Sequence, residues 1–168
     1  MGTEKHKASA PRHVNVGVLS ISTTRTLTED KSGHWICKHL KREGHQVACH
    51  QVIPDDASII MKTVSDVIRE QTPHALLLTG GTGISPKDVT IEAVRPLLSK
   101  ELTAFAVLFT QLSFEEIDAA ALLSRAMAGT IGSTIIFCMP GSLNACKLAC
   151  KTLIFPELGH LVHHLQES

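Results

Sequence analysis

Three short stretches of this 168-residue chain are almost free of polar side chains, and they limit its fold more than any other feature. The first is Val-Asn-Val-Gly-Val-Leu-Ser-Ile at 14–21; the others are Ala75-Leu-Leu-Leu-Thr79 and Thr134 to Met139. Each has the length of a strand. A strand without a regular polar alternation has both faces covered, as in a parallel sheet between two layers of helix. The run 46–53 alternates enough to be a further strand, broken by Pro54-Asp55-Asp56.

The segments between them read as helices. Ser32 can cap one that runs to about Glu43 and stops at Gly44, with Trp35, Ile36 and Leu40 on its apolar side. Ile59, Ile60, Val64, Val67 and Ile68 recur at helical spacing. A helix from Asp88 to about Leu98 has an open end at Pro96, and residues 101–112 fit strand and helix equally. Ser113-Phe-Glu-Glu116 has the form of a capping box opening a helix of Ala and Leu. Asn144 to Ile154 and Pro156 to about Leu165 close the chain as helices. The order predicts an α/β fold, a three-layer α/β/α sandwich with a mostly parallel central sheet. It is expected as one domain over 14–168 after a disordered tail at 1–13.

Sixteen basic residues balance sixteen acidic ones, so no strongly basic face for nucleic acid is implied. No apolar run approaches the roughly 18 residues that cross a bilayer, and none follows the polar start at signal-peptide length. The five cysteines are odd in number and scattered, which suits thiols in a reducing compartment. No membrane, no nucleic acid and a cytoplasmic location are therefore expected. Cys146 and Cys150 share a helix face and read as small core side chains.

The strongest local signal is Thr79-Gly80-Gly81-Thr82-Gly83, where the third strand gives way to a loop. Bare backbone there lets several N–H groups converge on an anion, and Thr79 and Thr82 can add hydroxyl donors. The alternative is a tight turn that only closes the sheet. The spacing is neither a P-loop nor a dinucleotide fingerprint. Asp88, beside a phosphate, makes chemical sense mainly as a magnesium ligand, and otherwise as a helix cap. Asp55 and Asp56 end the second strand on the same rim; one of them could help hold a metal, and the alternative is a turn, with Asp56 also capping the next helix. Met139-Pro140-Gly141-Ser142 lets backbone approach a ligand at Gly141, while Ser142 contacts it or caps a helix. Ser20, Ser22, Thr23, Thr24 and Arg25 form the mouth of the first strand, with Arg25 either a phosphate partner or a solvated side chain. His160, His163 and His164 share a helix face, but without an accompanying acidic ligand they read as solvated or interface histidines.

These pieces together resemble the MoaB/MogA family of molybdenum-cofactor biosynthesis, the molybdopterin adenylyltransferases and their relatives, over nearly all of Val14 to Leu165. The resemblance rests on Leu19-Ser20-Ile21-Ser22, Asp30-Lys31-Ser32-Gly33, Ile53-Pro54-Asp55, and the glycine loop with Asp88-Val89-Thr90. It continues through Leu112-Ser113-Phe114-Glu115-Glu116-Ile117, Leu123-Ser124-Arg125-Ala126 and Met139-Pro140-Gly141-Ser142. The Ser-Phe-Glu-Glu-Ile stretch and the ending Phe155 to Leu161 are closer to the MoaB branch.

The resemblance implies molybdopterin at the Gly80-Gly81-Thr82-Gly83 loop and Asp88 and Asp55 as essential acids and ligands of Mg²⁺. Ser22, Gly141 and Ser142 would line the site, with ATP and molybdopterin as substrates. The implied reaction yields adenylylated molybdopterin and pyrophosphate. The implied partners are further copies of the chain, as homotrimer or hexamer, and other molybdenum-cofactor biosynthesis proteins. The chain departs from the family's pattern at three places. Ala104-Phe105-Ala106-Val107 stands where Gly-Phe-Gly-Glu is usual, Thr110 where Arg is usual, and Thr23 where Asp or Asn is frequent. The first two remove a metal or ribose acceptor and a phosphate donor. A pterin-binding or assembly protein without turnover is therefore the competing expectation.

Overall fold

The structure is a computed structural model that describes residue 11 and residues 13–167; apart from residues 11 and 13, the tail expected over 1–13 lies outside these. The strands are β1 (Asn15–Ile21), β2 (Gln46–Ile53), β3 (Ala75–Thr79), β4 (Lys100–Glu101), β5 (Met127–Ile131) and β6 (Thr134–Met139). They form one six-stranded sheet in the order β2-β1-β3-β6-β5-β4. The first four of that order are parallel, and β5 and β4 run antiparallel at one edge. The helices are α1 (Lys31–Arg42), α2 (Ala57–Gln71), α3 (Thr90–Val94), α4 (Thr103–Ile117), α5 (Leu143–Ala149) and α6 (Leu158–Gln166).

Two apolar layers cover the sheet, as the three-layer expectation requires. Val16, Val18, Leu77 and Phe137 pack on one face against Ile36, Leu40, Phe105, Phe109, Cys146 and Leu158. Leu19, Leu76, Leu78 and Ile136 pack on the other against Ile60, Val64, Ile91 and Val94. Cys146 and Cys150 both point into the first layer, and all five cysteines are free thiols. Burial pushes the Cys138 thiol up to about 12, so its nucleophilic form is suppressed. No helix among the described residues is long and apolar enough to cross a membrane.

The strands expected at 46–53, 75–79 and 134–139 appear with those limits. Several other expectations are corrected. Asp30, not Ser32, caps α1, because its carboxylate accepts from the Gly33 amide at 3.0 Å. The helix expected from Asp88 to Leu98 is α3 followed by a 3₁₀ turn at Arg95–Leu97, which Pro96 favours by having no N–H. Ser113 does not open a helix; it is buried inside α4, which runs unbroken from Thr103. No Gly or Pro lies between Leu102 and Ile117 to stop it. The Ala and Leu residues after it form a 3₁₀ stretch at Asp118–Leu123. Strand β5 was hidden because Ala128-Gly129-Thr130 lacks branched apolar residues. Gly129 is needed there, since a Cβ would stand 2.4 Å from the Lys100 carbonyl oxygen.

Candidate functional site

The parallel strands end together. Ile21 of β1 lies opposite Ile53 of β2, Ser20 opposite Thr79, and Thr79 opposite Met139. The segments that follow them, at 22–30, 54–56, 79–88 and 140–142, therefore share one edge of the sheet, where open α/β folds bind ligands.

At the centre of that edge the glycines do what side chains could not. Gly80 has φ +101°, and a Cβ there would stand 2.4 Å from the Ile21 carbonyl oxygen. A Cβ at Gly141 would stand 3.1 Å from the Cα of Gly80, so the β3 and β6 loops meet backbone to backbone. The Gly80 amide is turned inward to the Met139 carbonyl at 3.0 Å. The amides of Gly81, Thr82 and Gly83 have no acceptor among the described residues. Three adjacent N–H groups at a loop with two half-exposed glycines can hold an oxyanion.

Other parts of the chain hold this loop rigid. The Thr90 hydroxyl donates to the Gly80 carbonyl at 2.8 Å, and its amide donates to the Gly81 carbonyl at 2.9 Å. Arg125 donates from Nε to the carbonyls of Thr82 and Gly83 at 2.9 and 3.1 Å, while its two terminal nitrogens grip Glu92 at 2.6 and 3.2 Å. The Glu92 bond raises the Arg125 pKa, and the guanidinium in turn lowers that of Glu92. Thr79 is not turned to the rim. Its buried hydroxyl donates to the Pro140 carbonyl at 3.0 Å beside the Cys146 sulfur, so it braces the two loops instead of facing a ligand. Thr82 is buried beneath the loop.

The two predicted acids flank the glycines. Asp55 Oδ1 would lie 3.3 Å from a Cβ on Gly81, and Asp88 Oδ2 would lie 2.7 Å from one on Gly83. Asp55 Oδ2 accepts from the Thr23 amide at 2.7 Å and its hydroxyl at 2.9 Å. Asp88 Oδ2 accepts from the Ser85 amide at 2.9 Å, and Asp88 does not cap α3. Each carboxylate thus has one oxygen held and its Oδ1 outside any hydrogen bond among the described residues. Asp56 caps α2 through the Ile59 amide. No group of three or more His, Cys, Asp or Glu side chains gathers as a metal cage among the described residues. Each Oδ1 is a carboxylate oxygen of the kind that binds Mg²⁺ singly or in pairs, with phosphate and water completing its shell.

The far side of the rim is built on Asp30, which in the sequence stands out only within the family resemblance. Fully buried, it accepts from Ser20 Oγ at 2.5 Å, His50 Nε2 at 2.7 Å and the Gly33 amide. Burial opposes its ionisation, but the bonds from Ser20, His50 and Gly33 outweigh it and hold the carboxyl below its usual range. Next to it, Ser32 Oγ donates to the Gly141 carbonyl at 2.9 Å. Ser142 caps α5 by accepting from the Ala145 amide at 3.2 Å, and Ser22 Oγ accepts from the Arg25 amide at 3.1 Å.

A hollow of about 340 Å³ opens here, lined by Arg25, Glu29, Lys31, Ser32, Gly141 and Ser142, with the Glu29 carboxylate turned back onto Thr26. A second, of about 430 Å³, lies by Gly83, Ser85, Asp88, Glu92 and Arg125. The structure thus brings Ser22, Asp55, Gly80–Gly83, Asp88, Gly141 and Ser142 to one edge. Arg125, Thr90, Asp30 and Lys31 were missed as site residues, although the Asp30-Lys31-Ser32-Gly33 and Ser124-Arg125 segments carried the signal.

Comparison with known proteins finds relatives over nearly the whole chain. The family description "probable molybdopterin binding domain" matches residues 17–160. Molybdenum cofactor biosynthesis protein B of Bacillus cereus is 43% identical over 169 residues, covering 100% of both chains. A crystal structure of a molybdenum cofactor biosynthesis protein B superposes with a TM-score of 0.91 at 43% identity, covering 95% of this chain and 100% of the other. The tungsten cofactor synthesizing protein MoaB of Pyrococcus furiosus gives 0.85 at 34% identity, covering 94% and 100%.

Proposed function

This chain belongs to the molybdopterin-binding-domain family, and from that premise we propose that it acts in molybdenum cofactor biosynthesis, binding molybdopterin at the Gly80–Gly83 rim and transferring AMP to it from ATP. The observation that supports this reading is the row of unengaged amides at Gly81, Thr82 and Gly83 between the free oxygens of Asp55 and Asp88. A terminal phosphate of molybdopterin seated on those amides would be aimed at a nucleotide lying along the same edge. Its oxygen attacks the α-phosphorus of ATP, a new phosphoanhydride bond forms, the bond to the β-phosphate breaks, and pyrophosphate leaves.

The chain's part is to position and to balance charge, which suffices for transfers of this kind. Arg25 and Lys31 in the hollow beside Gly141 and Ser142 suit the phosphates of the nucleotide. Asp55 and Asp88 would hold Mg²⁺, which supplies charge neutralisation for the leaving pyrophosphate. Arg125 and Thr90 keep the loop in its open shape before any ligand arrives.

A second reading is favoured by one feature. α4 presents Val107, 67% exposed, and the exposed Thr110 where the family carries a carboxylate and a guanidinium. Binding without transfer would then be the activity.

The test is an assay with ATP, Mg²⁺ and molybdopterin, following adenylylated product, beside Asp88→Asn. Loss of about 100-fold in turnover with folding unchanged supports transfer. Tight binding without product supports the second reading. Molybdopterin that binds neither protein removes both.

The exposed apolar residues of α4 and the following turn are the surface through which self-association, as a trimer or hexamer, would occur.

A further inference from the structure

At the edge of the sheet opposite the glycine rim, the start of β1 is held by two histidine rings. The Val14 amide donates to His45 Nδ1 at 3.3 Å, and the Asn15 amide donates to His74 Nδ1 at 3.0 Å. His45 lies in the turn between α1 and β2, and His74 in the turn between α2 and β3. The two bonds therefore reach β1 from the two strands that flank it. Backbone bonds complete each grip: the Gln46 amide donates to the Val14 carbonyl at 2.9 Å, and the His74 amide to the Asn15 carbonyl at 2.8 Å.

These contacts fix where the protons are. A backbone N–H can only donate, so Nδ1 of each ring is the acceptor and carries no hydrogen. In the neutral imidazole Nε2 then carries it, and a second proton can enter only at Nδ1, where it would face the amide hydrogen. Charging either ring therefore breaks its bond to β1. His13 is wired the other way. Its Nδ1 is 2.6 Å from the Gly44 carbonyl, which only accepts, so Nδ1 donates and Nε2 can take a proton without losing that bond.

The turns that carry the rings are fixed independently of β1. The His45 amide donates to the Leu40 carbonyl at 2.9 Å, closing the end of α1. The Ile135 amide donates to the His74 carbonyl at 3.0 Å, and the Thr134 hydroxyl to the Pro73 carbonyl at 2.8 Å. Losing the ring bonds thus frees the start of β1 and leaves the turns in place. Burial is the main influence on His45 and holds its pKa below the ordinary value of 6.5; Glu43, at the end of α1, opposes the shift, and His13, before β1, adds to it. His74 makes no ion pair among the described residues.

We propose that His45 and His74 form a pH-sensitive latch, which holds the first residues of β1 to both neighbouring strands while the rings are neutral and releases them when the rings are charged. The sign follows from His45, whose folded form resists a proton that the unfolded chain accepts. Its contribution is complete above 6.5 and is lost as pH falls through that value toward the lowered one. The latch does not depend on the reading of the rim.

The experiment is nuclear magnetic resonance on the full chain. Ring-nitrogen shifts of His45 and His74 at about pH 7.5 should show Nε2 protonated and Nδ1 bare. Amide hydrogen exchange, corrected for the intrinsic effect of pH on exchange, follows the latch itself. By about pH 5, protection of Val14 and Asn15 should fall about tenfold or more relative to Val18 and Leu19 in the middle of β1. The double variant His45→Asn with His74→Asn offers, near the position of each Nδ1, a carbonyl oxygen that does not titrate, and should keep its protection over the same range. A proton on either Nδ1 at about pH 7.5 overturns the proposal, and that measurement needs no variant. Protection that stays level in the wild type while both rings become charged overturns it too. So does an equal loss in the wild type and the double variant, which would put the sensitive group elsewhere.

Discussion

At the parallel half of the sheet, where β1, β2, β3 and β6 end, the polar rim is held from several directions. Thr90, Arg125, Ser32 and Thr79 all bond to carbonyls of its loops. At the antiparallel half, α4 and the turn after it leave Val107, Leu108, Phe114, Ile117, Leu122 and Leu123 exposed to solvent. The first region is polar, braced from several sides and has unengaged amides, features that suit a small anionic ligand. The second is apolar and has no such bonds, which is the character of a surface that another protein covers. One chain thus carries a braced polar rim and an exposed apolar surface on opposite halves of one sheet.

The sharpest way to break this contrast is to add one methyl group to a glycine in each half. At Gly80, with φ +101°, the added carbon would stand 2.4 Å from the Ile21 carbonyl oxygen. At Gly132, with φ +55° in the β5–β6 turn, it would meet nothing within 4 Å. Gly80→Ala is expected to cost at least about 3 kcal/mol, from backbone strain and collision together. Gly132→Ala is expected to cost about 1 kcal/mol, from the left-handed backbone alone. Denaturant melts of the two variants check the difference; equal losses would mean that the rim yields as easily as the turn.

Asp30→Asn comes next. The amide turns one of the two acceptor oxygens into a donor, facing either Ser20 and His50 or Gly33, and about 2 kcal/mol of stability should be lost at neutral pH. The sign with pH follows from a carboxyl held below its ordinary value of 3.8 in the folded chain. Its contribution is complete above that value and is lost as pH falls through the lowered one. The acid side of the stability profile should therefore flatten in Asp30→Asn, as melts between neutral and acid pH would show.

The same two halves differ in how far the sequence exposes them. Strands β2, β3 and β6 are readable to the residue because unbroken apolar or alternating runs end at Pro54, Thr79 and Pro140. The glycines are readable because a run of them marks backbone that side chains would block, and Asp55 and Asp88 because the family resemblance singles them out. The antiparallel edge is opaque for physical reasons. β4 has two residues, β5 is built on Ala128 and Gly129, and α4 is apolar almost all round, so neither period shows. The supporting residues of the rim were also hidden. Arg125 and Asp30 act across 42 and 20 positions of chain, on Gly83 and His50, so they show in the sequence only as parts of the family resemblance.

Arg125 tests whether that long-range support matters. Arg125→Ala removes two bonds to loop carbonyls and a partly exposed pair with Glu92, and should cost about 1 kcal/mol in stability. Affinity for molybdopterin should fall several-fold more than the melt suggests, because a loosened loop must be reordered on binding. Arg125→Lys should not restore it, since an ammonium cannot replace a planar fork that bonds carbonyls and a carboxylate together. Binding that survives either change would make the loop self-supporting.

The smallest effect on the folded chain is expected at the other half. Val107 is 67% exposed and Leu122 83%, so a glutamate at either should change the stability of the single chain by less than about 0.5 kcal/mol. Burying that charge between two apolar surfaces is a different matter, because an unpaired carboxylate there loses its water. Val107→Glu and Leu122→Glu should therefore shift the assembly to smaller species in light scattering while molybdopterin binding at the rim persists. A change in pterin affinity without a change in mass would instead join the two halves into one site, with α4 reaching the ligand that the glycine loop holds.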